Sequence, residues 1–414
     1  MTQKRALELL KEGNNVFLTG PAGSGKTFVL QEFIQWLKNE NTGVAITAST
    51  GIAATHIEGT TIHSWAGIGI KDSLTDVDRL MMQRRPYLAE RFVDTDVLII
   101  DEVSMLDGKR LDLINEVCQL FKRSIRPFGG MQIVLCGDLF QLPPITKKGA
   151  QTDFVFYSSA WKNSELKVCY LTEQFRQSDE KLSKILAELR QNAVTQSSKD
   201  LLMERSDMVD DFIDFSTKLF THNVNVDEMN QKHLHELDGR KKTFYLSADG
   251  EEKVIEKAIK GCLAPEELHL KDGAVVMFVK NNYQKGYVNG SMGIVVGYSV
   301  SGFPIVQLKN GKEIEATPES WSIKEGDEVL SEIEQVPLRL AWAITIHKSQ
   351  GMTLDAAQMD LSRCFEPGMG YVALSRLKSL DGLYLKGIND QALKINEEVL
   401  RYDSALRQDS LMHE

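Results

Sequence analysis

Along the first 174 residues, short runs that are apolar at nearly every position alternate with helical stretches. The runs are Val16-Phe-Leu-Thr19, Val44-Ala-Ile-Thr47, Val97-Leu-Ile-Ile100, Ile133-Val-Leu-Cys136 and Val168-Cys-Tyr-Leu171. Continuous hydrophobic runs of this length suit strands buried on both faces, as in a parallel sheet covered by helices. The alternation therefore predicts parallel strands joined by crossover helices, an α/β fold.

From about residue 178 the pattern turns helical up to the polar stretch Gln191–Ser198, and α/β alternation resumes with a strand at Lys218–Thr221 and a helix through Leu237. Between about 280 and 333 the character changes to short strands, Met292–Tyr298, Gly302–Leu308 and Lys312–Thr317, separated by Gly, Asn and Pro turns such as Val288-Asn-Gly290. Asn310-Gly311 between two strand candidates is a strong hairpin signal, so this segment predicts a small antiparallel insertion. The α/β pattern returns with a strand at Glu334–Leu340, a helix over 341–350, and strands at Ala357–Leu361 and Leu383–Lys386. No repeat of solenoid period and no low-complexity tract is present.

A length of 414 residues corresponds to two or three domains. The 42% hydrophobic and 26% charged residues exclude disorder and fibrous repeats. No apolar stretch approaches the roughly 20 residues of a membrane helix. The start Met1-Thr-Gln-Lys-Arg-Ala leads into Glu8 and Lys11-Glu12, which predicts no export or organelle address. The five cysteines are odd in number and lack a CxxC, so neither a disulfide framework nor a zinc site is indicated. A reducing cytoplasm, bacterial or phage-like, is the expected setting. The net charge of −10 opposes indiscriminate binding to polyanions but leaves room for a local basic groove.

The strongest local signal is Gly20-Pro-Ala-Gly-Ser-Gly-Lys-Thr27, which follows a strand, opens a helix and matches GxxxxGK[ST]. Gly23, Ser24 and Gly25 let backbone N–H groups close around phosphates, and the helix start adds a positive dipole. Lys26 is placed for the β- and γ-phosphates of ATP and Thr27 for Mg²⁺. A dinucleotide fingerprint fails, because the glycines are not spaced GxGxxG. A second strand ends in Asp101-Glu102, which puts Asp101 beside the metal and Glu102 beside the attacking water. A third runs into Gly137-Asp-Leu-Phe-Gln-Leu-Pro-Pro144, bringing Gln141 to the same sheet edge as a γ-phosphate sensor candidate. Arg176 and Arg376 are candidates for stabilising transition-state charge.

These motifs, with Ala48-Ser-Thr-Gly-Ile-Ala-Ala54, Thr61-Ile-His-Ser64 and Ala343-Ile-Thr-Ile-His-Lys-Ser-Gln-Gly-Met-Thr353, closely resemble those of superfamily-one DNA helicases. Pro127-Phe-Gly-Gly-Met-Gln132 running into the Gly137–Pro144 segment resembles the signature of the petite integration frequency (PIF) family. The resemblance spans Gln3 to about Lys386. It implies two RecA-like motor domains, the first over 1–174 with a small strand-separating hairpin at about 55–70, the second over 175–279 and 334–414. It also implies an SH3-like insertion over 280–333.

The implied activity is ATP- and Mg²⁺-dependent translocation on single-stranded DNA with 5′-to-3′ unwinding of tailed or forked duplexes by a monomeric motor. Roles in repair, recombination and telomere maintenance go with the family. By position, Gln3 matches the adenine-reading glutamine, and Gln350 and Gly351 lie in the motif linking DNA contacts to the γ-phosphate. Arg176 and Arg376 match the arginines that complete the site from the second motor. Thr50, His63, Thr345, His347 and Lys348 match the DNA-contact motifs, with chemistry that can hold phosphates without reading sequence. Trp65, Trp161 and Trp342 sit in apolar or helical patterning and are assigned to the core. With two residues before Gln3 and no large domain after 390, no counterpart of the regulatory or targeting modules of longer relatives is expected. Three other readings remain open: a single-strand translocase that displaces proteins with little unwinding, a non-catalytic nucleotide-gated DNA-binding or scaffold protein, against which Lys26, Glu102, Gln141 and both arginines speak, and an RNA-directed motor.

Overall fold

A computed structural model describes residues 1–413 apart from 70, 145–150, 178, 207–216, 221–225, 251–254, 257–258, 260–261, 263, 283, 288, 309, 326–327 and 347–348. The chain divides into two compact units, Met1–Arg176 with Asn396–Glu414, and Gln177–Ile395.

In the first unit the five anticipated runs form strands β1 (Val16–Thr19), β2 (Val44–Ala48), β4 (Val97–Asp101), β5 (Gln132–Cys136) and β6 (Lys167–Tyr170), joined at one edge by the short β3 (Thr60–Thr61). The sheet is parallel throughout, in the order β3-β2-β4-β5-β1-β6. Helix Lys26–Asn39 lays Val29, Leu30, Phe33, Ile34 and Leu37 on Val16, Leu18, Val97, Ile99 and Val134. Full burial of each such side chain stabilises by about 1.5–3 kcal/mol, which anchors the helix and so the loop that opens it.

The sequence places an accessory hairpin at 55–70, but the described residues there form the edge strand β3 and the one-turn helix Ile62–Trp65. Thr60 and Thr61 pair parallel with Thr47 and Ala48, so this segment extends the main sheet.

The C-terminal helix Glu397–Leu411 also departs from expectation, because it packs on β6 of the first unit and does not continue the second. The Tyr170 hydroxyl donates to Asp403 at 3.0 Å, the Tyr170 N–H donates to Ser410 Oγ at 3.1 Å, and Trp161 Nε1 donates to the Tyr402 hydroxyl at 2.8 Å. An amphipathic helix reveals from its sequence that it has an apolar face, but not which sheet that face covers.

The second unit opens with helix Glu180–Arg190 and strand β7 (Thr217–Phe220). An antiparallel region follows: β8 (Lys242–Tyr245), β9 (Ser247–Gly250), β10 (Glu267–Leu270), β11 (Val275–Phe278), β12 (Met292–Tyr298), β13 (Pro304–Leu308), β14 (Glu313–Glu315), β15 (Glu319–Glu325), β16 (Glu328–Gln335) and β17 (Leu338–Leu340). Five of these form a sheet in the order β14-β13-β12-β11-β17, with Val276, Phe278, Tyr287, Val295 and Val306 in its core. The β13–β14 hairpin turns where Asn310-Gly311 predicts, with Gly311 at φ +80.

The region is wider than the expected 280–333, since β11 and β17, its pairing partner, lie outside those limits. The single strand expected at Glu334–Leu340 is two, β16 and β17, because Pro337 has no N–H to continue a ladder. The expected helix over 341–350 is replaced by strand β18 (Ala343–Thr345), which pairs with β7 from Ala343↔Lys218 to Thr345↔Phe220. Short apolar runs are ambiguous between helix and strand, and here an available parallel partner decides. With β19 (Ala357–Leu361) and β20 (Leu383–Ile388) it completes a four-stranded parallel sheet, β18-β7-β19-β20. Among the described residues no helix is long and apolar enough to cross a membrane.

Candidate functional site

The carboxyl end of β1 delivers the glycine-rich loop. Gly20, Gly23 and Gly25 all have positive φ, at +145, +85 and +85. Gly25 caps helix Lys26–Asn39 with no side-chain hydrogen bond, so the amide donors of the first turn stay available to a phosphate. A Cβ on Gly25 would meet Gln3 Nε2 at 1.9 Å, and Gln3 Nε2 itself donates to Ser24 O at 3.2 Å. The adenine-reading candidate therefore sits against the loop. Lys26 Nζ donates to Gly20 O at 2.8 Å and Pro21 O at 3.0 Å, folding its ammonium over the cradle that a β/γ-phosphate pair would fill. Ser24 is fully buried, and its Oγ has no hydrogen-bond partner among the described residues.

Beside this loop, the last residue of β4 is Asp101, buried, with one carboxylate oxygen accepting the Glu102 N–H at 2.8 Å. Burial pushes its carboxyl pKa up, while the charge of Lys26 acts in the opposite direction, so the two groups share one electrostatic neighbourhood. Glu102 lies in the left-handed region, at φ +50. A non-glycine residue there costs about 1–3 kcal/mol and persists only where its surroundings hold it.

Gln141, from the β5 exit, is buried and its Oε1 lacks a partner among the described residues. The β5 exit approaches the β4 exit closely, since a Cβ on Gly137 would meet Val103 N at 3.0 Å. Gln3, the loop, Asp101, Glu102 and Gln141 thus belong to one unit at one edge of its sheet, the location where open parallel sheets bind ligands.

This donor set fits Mg²⁺. The ion takes one or two carboxylates and completes its shell with water and phosphate oxygens, and it has no need of an all-protein cage. Asp101 supplies a buried carboxylate whose charge lacks solvation, Thr27 a hydroxyl at the helix start, and no group of three or more His, Cys, Asp or Glu competes among the described residues.

The remaining candidates divide between the units. Arg176, expected from the second motor, is the last residue of the first unit. It follows Phe175, whose N–H donates to Gly23 O at 2.9 Å. In the second unit Arg376 is 1% exposed, with Nε donating to Val372 O at 3.0 Å and Nη2 to Ser375 Oγ at 3.0 Å. Its backbone oxygen accepts the Leu354 N–H at 2.8 Å, which ties it to the segment following Gln350 and Gly351. Gln350 is buried with Nε2 unpartnered among the described residues, and Gly351 turns the chain at φ +73.

Of the strand-contact candidates, Thr50 accepts the Ala53 N–H at 3.2 Å and caps helix Gly51–His56. His63 is half-buried, and its pKa is lowered first by burial and then by the Arg110 guanidinium, with Asp107 opposing. Thr345 is buried at the end of β18, while His347 and Lys348 lie outside the described residues. The three tryptophans take core positions: Trp65 against Phe92 at 4.5 Å, Trp161 against Phe17 at 4.7 Å, and Trp342 against the antiparallel core.

Two further residues, to which the sequence assigns no role, touch these groups. Ser49 Oγ donates to Glu102 O at 2.6 Å. Gln177 Nε2 donates to Ser375 O at 3.1 Å and Leu377 O at 3.4 Å, on either side of Arg376. Ser49 lies within the Ala48–Ala54 motif and Gln177 directly follows Arg176, and these positions are the signal the sequence offers.

A strand-borne phosphate loop with a lysine, and an acidic pair on the neighbouring strand but one, define a P-loop nucleoside triphosphatase. Residues 2–199 match the PIF1-like helicase family, and residues 258–298 match the 2B domain of DNA helicase Pif1. The chain is 42% identical to the ATP-dependent DNA helicase Pif1 of Psychrobacter sp., over 99% of this chain and 71% of that protein. The crystal structure of Bacteroides sp. Pif1 in complex with ADP-AlF4 superposes with a TM-score of 0.85 at 32% identity, covering 98% of this chain and 96% of that one. A second Bacteroides structure, with ADP-AlF3 and single-stranded DNA, gives a TM-score of 0.69 at 32% identity over the same shares. This chain belongs to the PIF1-like helicase family, and its two parallel-sheet units are of the RecA-like class.

Proposed function

We propose that this protein is an ATP-dependent DNA helicase that translocates 5′-to-3′ on single-stranded DNA and unwinds 5′-tailed or forked duplexes as a monomeric motor. The observation that carries the reading is the acidic pair of buried Asp101 and half-buried Glu102 beside the open glycine loop, with Lys26 within electrostatic reach of Asp101. The names and ligands of the relatives supply nucleotide and DNA, and the family resemblance supplies polarity.

Hydrolysis follows from the side chains. Loop N–H groups and Lys26 bind the β- and γ-phosphates, and Gln3 meets the adenine edge. Thr27 and Asp101 would hold Mg²⁺, which when bound neutralises charge on the phosphate oxygens. Glu102 orients the attacking water and takes its proton at a carboxylate oxygen, while the Gln141 amide touches the γ-phosphate. Arg176 and Arg376 add positive charge to the transferring group, a contribution of about three to five decades in rate. Thr50, His63, Thr345, His347 and Lys348 contact the strand, and the antiparallel region serves as the SH3-like 2B element. The free cysteines, Cys118, Cys136, Cys169, Cys262 and Cys364, suit a reducing compartment.

The deciding experiment is strand separation with ATP and Mg²⁺ on matched duplexes carrying a 5′ tail, a 3′ tail or no tail, with Glu102→Gln as control. Unwinding of the 5′-tailed duplex alone, lost in the variant, is the expected result. Unwinding that survives Glu102→Gln, or that prefers the 3′ tail, would overturn the reading.

A further inference from the structure

Ser49 holds the acidic pair from two directions. Its backbone N–H donates to Asp101 O at 3.0 Å and its hydroxyl donates to Glu102 O at 2.6 Å. A single residue thus grips two successive carbonyls, and the second belongs to a residue at φ +50, a conformation that side chains rarely adopt unassisted. The Glu102 carbonyl also accepts the Met105 N–H at 3.3 Å, but the Ser49 hydroxyl makes the shorter bond, and rotating that peptide plane toward the ordinary region would strain both, so the two bonds together restrain the direction in which the Glu102 side chain leaves the backbone. Ser49 is itself buried, and it directly precedes Thr50, whose side chain caps the next helix. A displacement of Thr50 therefore passes through one peptide bond into the clamp on Glu102.

We propose that Ser49 is a positioning residue that couples occupancy of the strand site at Thr50 to the orientation of Glu102, and hence DNA binding to ATP hydrolysis. The inference rests on the roles given above to Thr50 and Glu102. A phosphate accepted at Thr50 tightens the turn between β2 and its helix, the Ser49 hydroxyl seats the Glu102 carbonyl, and the carboxylate meets the water. Without the hydroxyl, the Glu102 carbonyl keeps only the longer bond from the Met105 N–H, Glu102 samples a wider range of orientations, and strand binding selects the productive one less well.

The test is steady-state ATPase of the full chain with and without single-stranded oligothymidine, for Ser49→Ala, Ser49→Thr, Thr50→Ala and Glu102→Gln. Ser49→Ala is expected to lower the DNA-stimulated kcat about ten-fold at unchanged KM for ATP, with the DNA-free rate falling less, so that the stimulation ratio drops. Ser49→Thr, which keeps the hydroxyl, is expected to restore most of that ratio. Oligothymidine affinity of Ser49→Ala, read by fluorescence anisotropy without nucleotide, is expected to match the parent.

Equal loss of DNA-free and DNA-stimulated rates would make the clamp merely structural and overturn the coupling, as would a stimulation ratio unchanged in Ser49→Ala. Loss of oligothymidine affinity would assign Ser49 to the strand site and overturn it too. If Ser49→Ala melts below the assay temperature, Ser49→Cys, similar in size with a weak donor, is measured against the same outcomes. Near-parental activity in Glu102→Gln would instead sink the underlying reading of the site, a result distinct from any outcome at Ser49.

Discussion

The two parallel sheets are built alike and equipped differently. The six-stranded sheet of the first unit ends β1 in a loop with three positive-φ glycines and ends β4 in Asp101 and Glu102. The four-stranded sheet of the second unit carries no such loop among its described residues; its candidate groups are the buried side chains of Thr345, Gln350 and Arg376. One sheet offers backbone donors and a buried carboxylate, the groups to which the proposed function gives the phosphate chain and its metal ion. The other offers buried side chains, to which the proposed function gives a response to bound nucleotide and strand. The two sheets thus differ in the kind of group they present.

The largest expected effect breaks this division directly. Lys26→Ala should abolish both nucleotide binding and turnover, whereas Arg376→Lys should keep nucleotide binding and lose about three decades of turnover, because an ammonium cannot reproduce the planar fork. Fluorescent-nucleotide titration beside single-turnover hydrolysis distinguishes the two, and equal loss of binding in both variants would erase the contrast.

Gly25→Ala comes next, expected to weaken nucleotide binding about ten-fold because φ +85 disfavours a side chain and the new Cβ lies 1.9 Å from Gln3 Nε2. Adding Gln3→Ala should relieve the contact but not the backbone strain, so rescue in the same titration should be partial. Gln350→Met should leave the stability level or raise it by up to about 1 kcal/mol, read as a level or higher melting temperature, since it removes a buried donor without a partner among the described residues. The same change should lower DNA-stimulated ATPase, and a retained rate would remove Gln350 from the sensing set.

The smallest effect is a pH response. His63 is held below its ordinary 6.5 by burial and then by Arg110, with Asp107 opposing. The unfolded chain therefore binds more protons below 6.5, so the stability this group contributes is present above that value and lost as pH falls through the folded pKa. Melting curves should show a decline on acidification from about pH 7 that His63→Gln partly flattens.

Legibility followed the same division. The first sheet was readable because strands buried on both faces leave continuous apolar runs, and the phosphate loop because its chemistry lies in consecutive residues. The second sheet was harder to read: β18 is three residues long and became a strand only by pairing with Lys218–Phe220, far away in sequence. The hairpin of β15 and β16 went unseen, because Glu319–Glu325 and Glu328–Gln335 interleave charge with few apolar positions. The Ser49 hydroxyl is a donor anywhere, and only the left-handed turn at Glu102 aims a carbonyl at it.

The packing of helix Glu397–Leu411 on β6 has a consequence for how the protein is made. The chain leaves the first unit at Arg176 and re-enters it at Asn396, so the unit begun first on the ribosome is finished last. Until then the Tyr170 hydroxyl waits for a carboxylate 233 residues downstream, and the apolar flank of an edge strand stands bare while the entire second unit is synthesised. Nascent chains arrested shortly before residue 396 should be the ones that bind chaperones most strongly and resist proteases least.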